Sequence, residues 1–293
     1  MKRIYNHLLG LNNLRKFCGN AEVFGYAKTN FKLEILDEPK KGRVLVLAPH
    51  PDDDVFGCGG SLAMHAKQGD EVKIVYFAGN KISQTSNLKP QKYGEGAIKI
   101  EEENDNIYSS SEARSSQPSV SNSIGINRCD EAENAAKVLK VTNIEFWGLR
   151  ENKFMADKKN IARLKKVIEE YKPEIIYCPS FTDTNPDHYE VAKTLCSAMS
   201  NVICNMSNVS ILLYEIWTPI FANRLIKIDS VIEQKKAAIL CHKSQLSDRS
   251  YFDAIIGLNQ YRAGMFNAGK YAEGFAEMSV ELYVKLFKKF QLD

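Results

Sequence analysis

The chain has 293 residues, 44% of them hydrophobic and 26% charged, a globular balance that excludes wholesale disorder and leaves enough apolar surface for a large core. Its 39 basic and 36 acidic residues give a formal charge of +3, too even to argue for a nucleic-acid partner. No run approaches the roughly 18 apolar residues of a membrane span, and the N-terminal stretch has no apolar segment followed by a small-residue cleavage site, so no transmembrane segment and a cytoplasmic address are expected.

One domain over 1–293 is the organisation this length suggests. The seven cysteines, at 18, 58, 129, 178, 196, 204 and 241, include no CxxC pair and read as buried thiols rather than disulfides. In chain order, residues 43–48 (RVLVLA) form a short β-branched run of the buried parallel-strand type, ending at Pro49 and a polar turn over 50–54. Gly57, Gly59 and Gly60 follow, then a helical composition over 61–68, a stop at Gly69, and a second strand over 72–77. The rhythm repeats with helix 129–140, strand 143–147, helix 161–171, strand 174–178 and a helix from about 187 to 199. A late strand over 211–217 and peripheral helices over 231–242 and 277–290 complete the reading, with Lys285, Lys288 and Lys289 as the solvated face of the last helix. Such alternation predicts an α/β, Rossmann-like, three-layer fold: a mostly parallel twisted sheet with helices on both faces. Residues 83–127, rich in Ser, Asn, Gln, Glu and Lys, interrupt it as a polar insertion, read either as an active-site lid or as a variable surface loop.

Chemistry concentrates at two strand ends. His50, Asp52, Asp53 and Asp54 (HPDDD) follow the first strand, and carboxylates this close repel one another unless a cation neutralises them. Asp183, Asn185, Asp187 and His188 (DTNPDH) follow strand 174–178, and in a parallel sheet the two carboxyl ends lie on one side. Two imidazoles with one carboxylate make the three-ligand set of catalytic zinc, with a fourth position for water. A remaining carboxylate can serve as general base, and of the adjacent Asp52 and Asp53 one can bind metal while the other faces the water.

Each of these residues also has a plainer reading. His50 alone is a strand-end histidine, and His188 a helix N-terminal residue with Asp187 as cap. Arg128 and Glu151 are candidate substrate contacts or surface salt-bridge partners; His242 suits packing or subunit contact, and His65 and His7 are structural or exposed. The glycines are ordered GxGG rather than GxGxxG and follow carboxylates, which argues against a pyrophosphate loop.

At these residues the sequence resembles the PIG-L or LmbE-like N-deacetylases, whose hallmark is a strand, an HPDD(E/D) stretch and a later PDH. Here they read His50-Pro51-Asp52-Asp53-Asp54 and Pro186-Asp187-His188, and 128–139, 235–245 (KKAAILCHKSQ) and 261–275 are similar in the same order, so the resemblance covers about 42–280, which it implies is the core of the domain. The resemblance implies that His50, Asp53 and His188 ligate Zn2+, Fe2+ accepting the same set, with Asp52 as general base and Asp187 acting on the site's electrostatics. It implies removal of an N-acetyl group from an N-acetylglucosamine-type amino sugar or glycoconjugate, and a homo-oligomer is compatible with it. Many members carry His where this chain has Asn185; an amide can donate to an oxyanion but cannot titrate. Asn185 therefore keeps open a catalytically impaired carbohydrate-binding homologue; a metal-dependent amidase acting on another acylated amine is a separate alternative, distinguished by substrate profiling. Asp54, for the commoner Glu, is expected to accept from backbone N–H groups of a Gly-rich turn.

Overall fold

The computed structural model describes residues 32–79, 128–200, 208–247 and 249–290. The insertion at 83–127 and His7 lie outside them. The strands are β1 (Glu34–Leu36), β2 (Val44–Ala48), β3 (Val72–Ala78), β4 (Asn143–Leu149), β5 (Ile175–Pro179), β6 (Ser210–Tyr214), β7 (Arg224–Lys227) and β8 (Ala272–Ser279). They form one sheet in the order β1-β7-β8-β6-β5-β2-β3-β4. All neighbours pair in parallel except β8, which runs antiparallel to both β6 and β7.

The helices are α1 (Asp53–Gln68), α2 (Arg128–Leu139), α3 (Lys158–Tyr171), α4 (Pro186–Met199), α5 (Ile232–Ile239), α6 (Lys243–Leu246), α7 (Tyr251–Phe266) and α8 (Val280–Phe290). They cover both faces, and the strand residues divide by parity as the two-residue repeat demands. Val44, Val46, Ile74, Tyr76, Ile175 and Tyr177 enter one core with residues of α1, α2 and α5; Leu45, Leu47, Val75, Phe77, Ile176 and Cys178 enter the other with residues of α3, α4 and α8. The expected three-layer, mostly parallel α/β architecture is therefore present. Among the described residues no helix is long and apolar enough to cross a membrane. Among the described residues Cys58, Cys129, Cys178 and Cys196 are buried and outside any disulfide.

Several boundaries differ from the sequence reading, each for a packing reason. The first helix begins at Asp53, so Gly57, Gly59 and Gly60 lie inside α1 and not in a loop. A Cβ on Gly57 would sit 2.3 Å from the Tyr214 ring, and one on Gly60 2.7 Å from Ile228, so these glycines permit close helix approach. The strand expected over 211–217 ends at Tyr214, and the helix expected over 231–242 is a 3-10 turn (Asp229–Val231) followed by α5. Residues 277–279, expected in the last helix, close β8 instead, pairing with 210–212 of β6. Strands β1, β7 and β8 and helix α7 were not anticipated.

The parallel pairing of β2 with β3 on one side and β5 on the other makes the β2/β5 junction the point where the chain reverses its direction of winding. Ligands of open α/β sheets bind in the crevice at such a point, outside the carboxyl ends of the strands.

Candidate metal centre

Both motifs emerge at that crevice. β2 delivers His50 at its carboxyl end, and the turn to α1 supplies Asp52 and Asp53; the loop after β5 and the first turn of α4 supply Asp183, Asn185, Asp187 and His188. His50, Asp53 and His188 are all buried, and one candidate ligand atom from each lies within 4.8 Å of the others. His50 Nδ1 is 3.0 Å and His188 Nε2 3.3 Å from the same oxygen, Asp53 Oδ2. That oxygen also accepts from the His50 backbone N–H at 2.8 Å, which fixes the carboxylate under the rings.

The far sides of the imidazoles face carboxylates as well. His50 Nε2 meets Asp187 Oδ2 at 2.9 Å; an ion on Nδ1 would displace that nitrogen's proton and leave Nε2–H donating to the carboxylate. His188 Nδ1 lies 3.4 Å from Asp183 Oδ2. Neither ring nitrogen of the fully buried His188 meets a hydrogen-bond partner of good geometry among the described residues. A buried, unsatisfied imidazole facing a carboxylate on each side fits a divalent cation on Nε2, with Asp183 orienting the ring from behind.

The electrostatics agree with the donor set. Burial opposes charge on His50, but Asp53 and the hydrogen bonds to Asp187 and Asp53 outweigh it and raise the pKa to about 10. His188 is likewise disfavoured by burial and driven up to about 9, chiefly by Asp53 and Asp183. Asp53 is desolvated, yet the two histidines hold its carboxyl well below the usual range. The surroundings thus demand positive charge at the point where the three residues meet.

Asp52 has a different environment. Burial raises its pKa to about 6, Arg128 opposing the rise. Arg128, the first residue of α2, donates to Asp52 Oδ1 at 3.1 Å and to Glu151 Oε1 at 2.6 Å, so Arg128 and Glu151 are salt-bridge partners of each other at the cavity edge. An open cavity of about 160 Å³ sits here, lined among others by His50, Asp52, Asp53, Arg128, Glu151 and Asn185. Phe56, Ile216, Trp217 and Tyr251 give it an apolar wall.

Two assignments change. Asn185, not Asp187, is the N-cap of α4, its Oδ1 accepting from Asp187 N at 2.9 Å, and the residue borders the cavity. Asp54 does not serve a Gly-rich turn, because that turn is helical; its Oδ2 accepts from Tyr76 OH at 3.0 Å, and burial raises its pKa to about 7. Asp183 belongs to the quoted cluster but carried no assigned role, its contact with His188 being a matter of folded geometry. His242 is buried edge-on against Phe56, does not line the cavity, and its Nε2 has no hydrogen-bond partner among the described residues.

The family model described as PIG-L, GlcNAc-PI de-N-acetylase, matches residues 45–199, just over half of the 293. This chain belongs to the PIG-L family. The match spans β2 to α4 and so includes both strand ends that build the centre. Solved structures share the fold. N,N'-diacetylchitobiose deacetylase from Pyrococcus horikoshii aligns with a TM-score of 0.61 and 18% identity over 90% of this chain and 94% of that one. The conserved protein TT1542 from Thermus thermophilus gives 0.58 and 21% over 83% and 94%. GalB, a 4-carboxy-2-hydroxymuconate hydratase from Pseudomonas putida, gives 0.56 and 20% over 80% and 96%. Identities this low speak to the fold alone, and the hydratase illustrates that this PIG-L-like scaffold carries more than one reaction.

Proposed function

We propose that this PIG-L family chain is a zinc-dependent hydrolase that removes the N-acetyl group from an N-acetylglucosamine-type amino sugar conjugate. His50, Asp53 and His188 hold the ion and Asp52 is the general base. The observation that carries the reading is the convergence of His50 Nδ1 and His188 Nε2 on Asp53 Oδ2, at 3.0 and 3.3 Å, beside the Asp52 carboxylate in an open cavity.

Zn2+ in that position supplies Lewis acidity to the amide carbonyl and to the attacking water, and Fe2+ suits the same ligands. The residues supply the rest. Asp52, with a pKa of about 6, is ionised at neutral pH and accepts the proton of the attacking water, then returns it to the departing amine. Arg128 keeps Asp52 in its charged form by ion pairing. Asn185, its Oδ1 spent on the helix cap, offers Nδ2 to the oxygen on which negative charge develops. Glu151 and Arg128 border the cavity as polar contacts for sugar hydroxyls, and Trp217 and Tyr251 offer apolar faces to the ring.

The test is acetate release from a panel of N-acetylglucosamine conjugates with and without chelator; no metal-dependent release from any of them would sink the proposal. The second reading, a sugar-binding homologue without turnover, is favoured by Asn185, which cannot titrate. Asp52→Ala separates the two: turnover lost with sugar affinity retained marks an enzyme, and no turnover in either protein marks a binder.

A further inference from the structure

Helix α1 is not continuous. At Cys58 the backbone leaves helical dihedrals (φ −144°, ψ 17°). In an unbroken helix the Gly60 N–H would donate to the Phe56 carbonyl, four residues back. Here Gly60 N donates to Glu273 Oε1 at 2.8 Å, and Phe56 O accepts from Lys235 Nζ at 3.2 Å. The two side chains are themselves an ion pair, Nζ to Oε1 at 2.6 Å, with both side chains completely buried. Lys235 and Glu273 are thus inserted into one rung of the helical ladder, each satisfying the backbone group that the break sets free. The second Glu273 oxygen accepts from Ser61 N at 2.7 Å and Ser61 Oγ at 2.6 Å, capping the downstream half of the helix.

Core packing alone does not call for such a pair, since buried ion pairs are often replaceable by apolar residues without loss of stability. Neither residue lines the cavity. What the pair controls is the direction of the short upstream segment, and that segment begins with Asp53 and follows Asp52. Its position is further confined by Gly57 against Tyr214 on one side of the break and Gly60 against Ile228 on the other.

We infer that Lys235 and Glu273 are positioning residues for the metal centre proposed above: by splitting α1 they aim its first turn so that Asp53 meets His50 and His188 while Asp52 faces the cavity. The inference rests on that reading of the site for its functional meaning, and on the broken helix for its geometry.

The experiment uses the full-length protein with Co2+ alone as probe. In Lys235→Met/Glu273→Gln both charges go together, so no orphan ion is left buried. Expected are Co2+ binding weakened by about tenfold or more, the scale set by residues that orient ligands, and an altered d–d absorption spectrum. A crystal structure of the variant should show Gly60 N bonded to Phe56 O and the Asp52–Asp53 turn displaced from His50. Leu164→Ala, in the core on the opposite face of the sheet, controls for general destabilisation and should leave Co2+ affinity unchanged. Wild-type affinity and spectrum in the double variant overturn the inference, as does weakened binding with the turn unmoved. If the wild-type protein takes up no Co2+ but the variant's turn is displaced, the metal reading fails and the positioning role stands. Should the double variant not fold, Lys235→Arg, which keeps both charges and alters the length and shape of the pair, carries the same measurements.

Discussion

Asp187 Oδ2 accepts from His50 Nε2 at 2.9 Å and from the Asn152 backbone N–H at 2.7 Å, so one carboxylate at the start of α4 braces the imidazole delivered by β2. The bond fixes which nitrogen of His50 carries the proton and which faces Asp53. Asp187→Asn keeps the shape but loses the charge, and should weaken Zn2+ binding by about 10- to 100-fold in competition with a chromophoric chelator. An unchanged Kd would mean that this contact does not orient the ligand.

Asp52 pairs with Arg128 on the cavity side and contributes no atom to the His50, Asp53 and His188 cluster. Asp52→Asn should therefore lower kcat by about 10²- to 10⁴-fold while Zn2+ affinity stays close to wild type. Equal loss of both would make Asp52 a ligand instead of a base.

Burial raises the Asp52 pKa and the Arg128 guanidinium opposes the rise, so the acid limb of kcat/KM should respond to Arg128. Because Arg128 lowers this pKa, Arg128→Met removes the opposition and should move the limb to higher pH. A pH–rate profile in which the limb stays put would assign it to another group.

Much of this was legible in the sequence, for identifiable reasons. Buried parallel strands announce themselves as β-branched runs, so β2, β3 and β5 fell into place, and the polar clusters at their carboxyl ends were then bound to share one side of the sheet. β8 was hidden because its sequence, AEGFAEMS, carries a buried Glu273 and a Gly274 pressed against Glu215 and Arg262, which breaks the apolar pattern of a strand. Lys235 and Glu273 lie 38 residues apart, and charged residues read one at a time default to the surface. Asp183 was in view as part of its cluster, but only folding reveals which imidazole it faces. The glycines of α1 looked like a loop because the partners that require them, Tyr214 and Ile228, are more than 150 residues away.

Gly57 tests that packing. Tyr214 is anchored by its hydroxyl, which donates to Leu47 O at 2.8 Å, so the ring cannot yield to a methyl group 2.3 Å away. Gly57→Ala should cost about 1–3 kcal/mol or more by overpacking, seen as a lowered urea midpoint. Wild-type stability would show that the α1 and β6 contact is looser than described.

His242 gives a pH signature away from the ligands. Burial, then the nearby Arg128, lowers its pKa from 6.5 to about 4, so the folded protein resists a proton that the unfolded chain accepts. Its contribution is fully present above 6.5 and is lost as pH falls through about 4, a window corresponding to on the order of 3 kcal/mol. His65, depressed chiefly by burial, contributes with the same sign. Urea unfolding of metal-free His242→Leu should lose His242's share of the decline between those pH values; an undiminished slope would locate it elsewhere.

The antiparallel strand β8 sits between β6 and β7, and β1 is hydrogen-bonded to β7 alone. During ribosomal synthesis the neighbours β4, β3, β2 and β5 are all available by residue 179, yet β7 and β1 have no bridge to them until 272–279 emerges. The same late segment brings Glu273 to the break in α1. A nascent chain can therefore hold half a sheet with both polar clusters in hand, while the part that closes the sheet and completes the support of the first turn arrives only after β6 and β7.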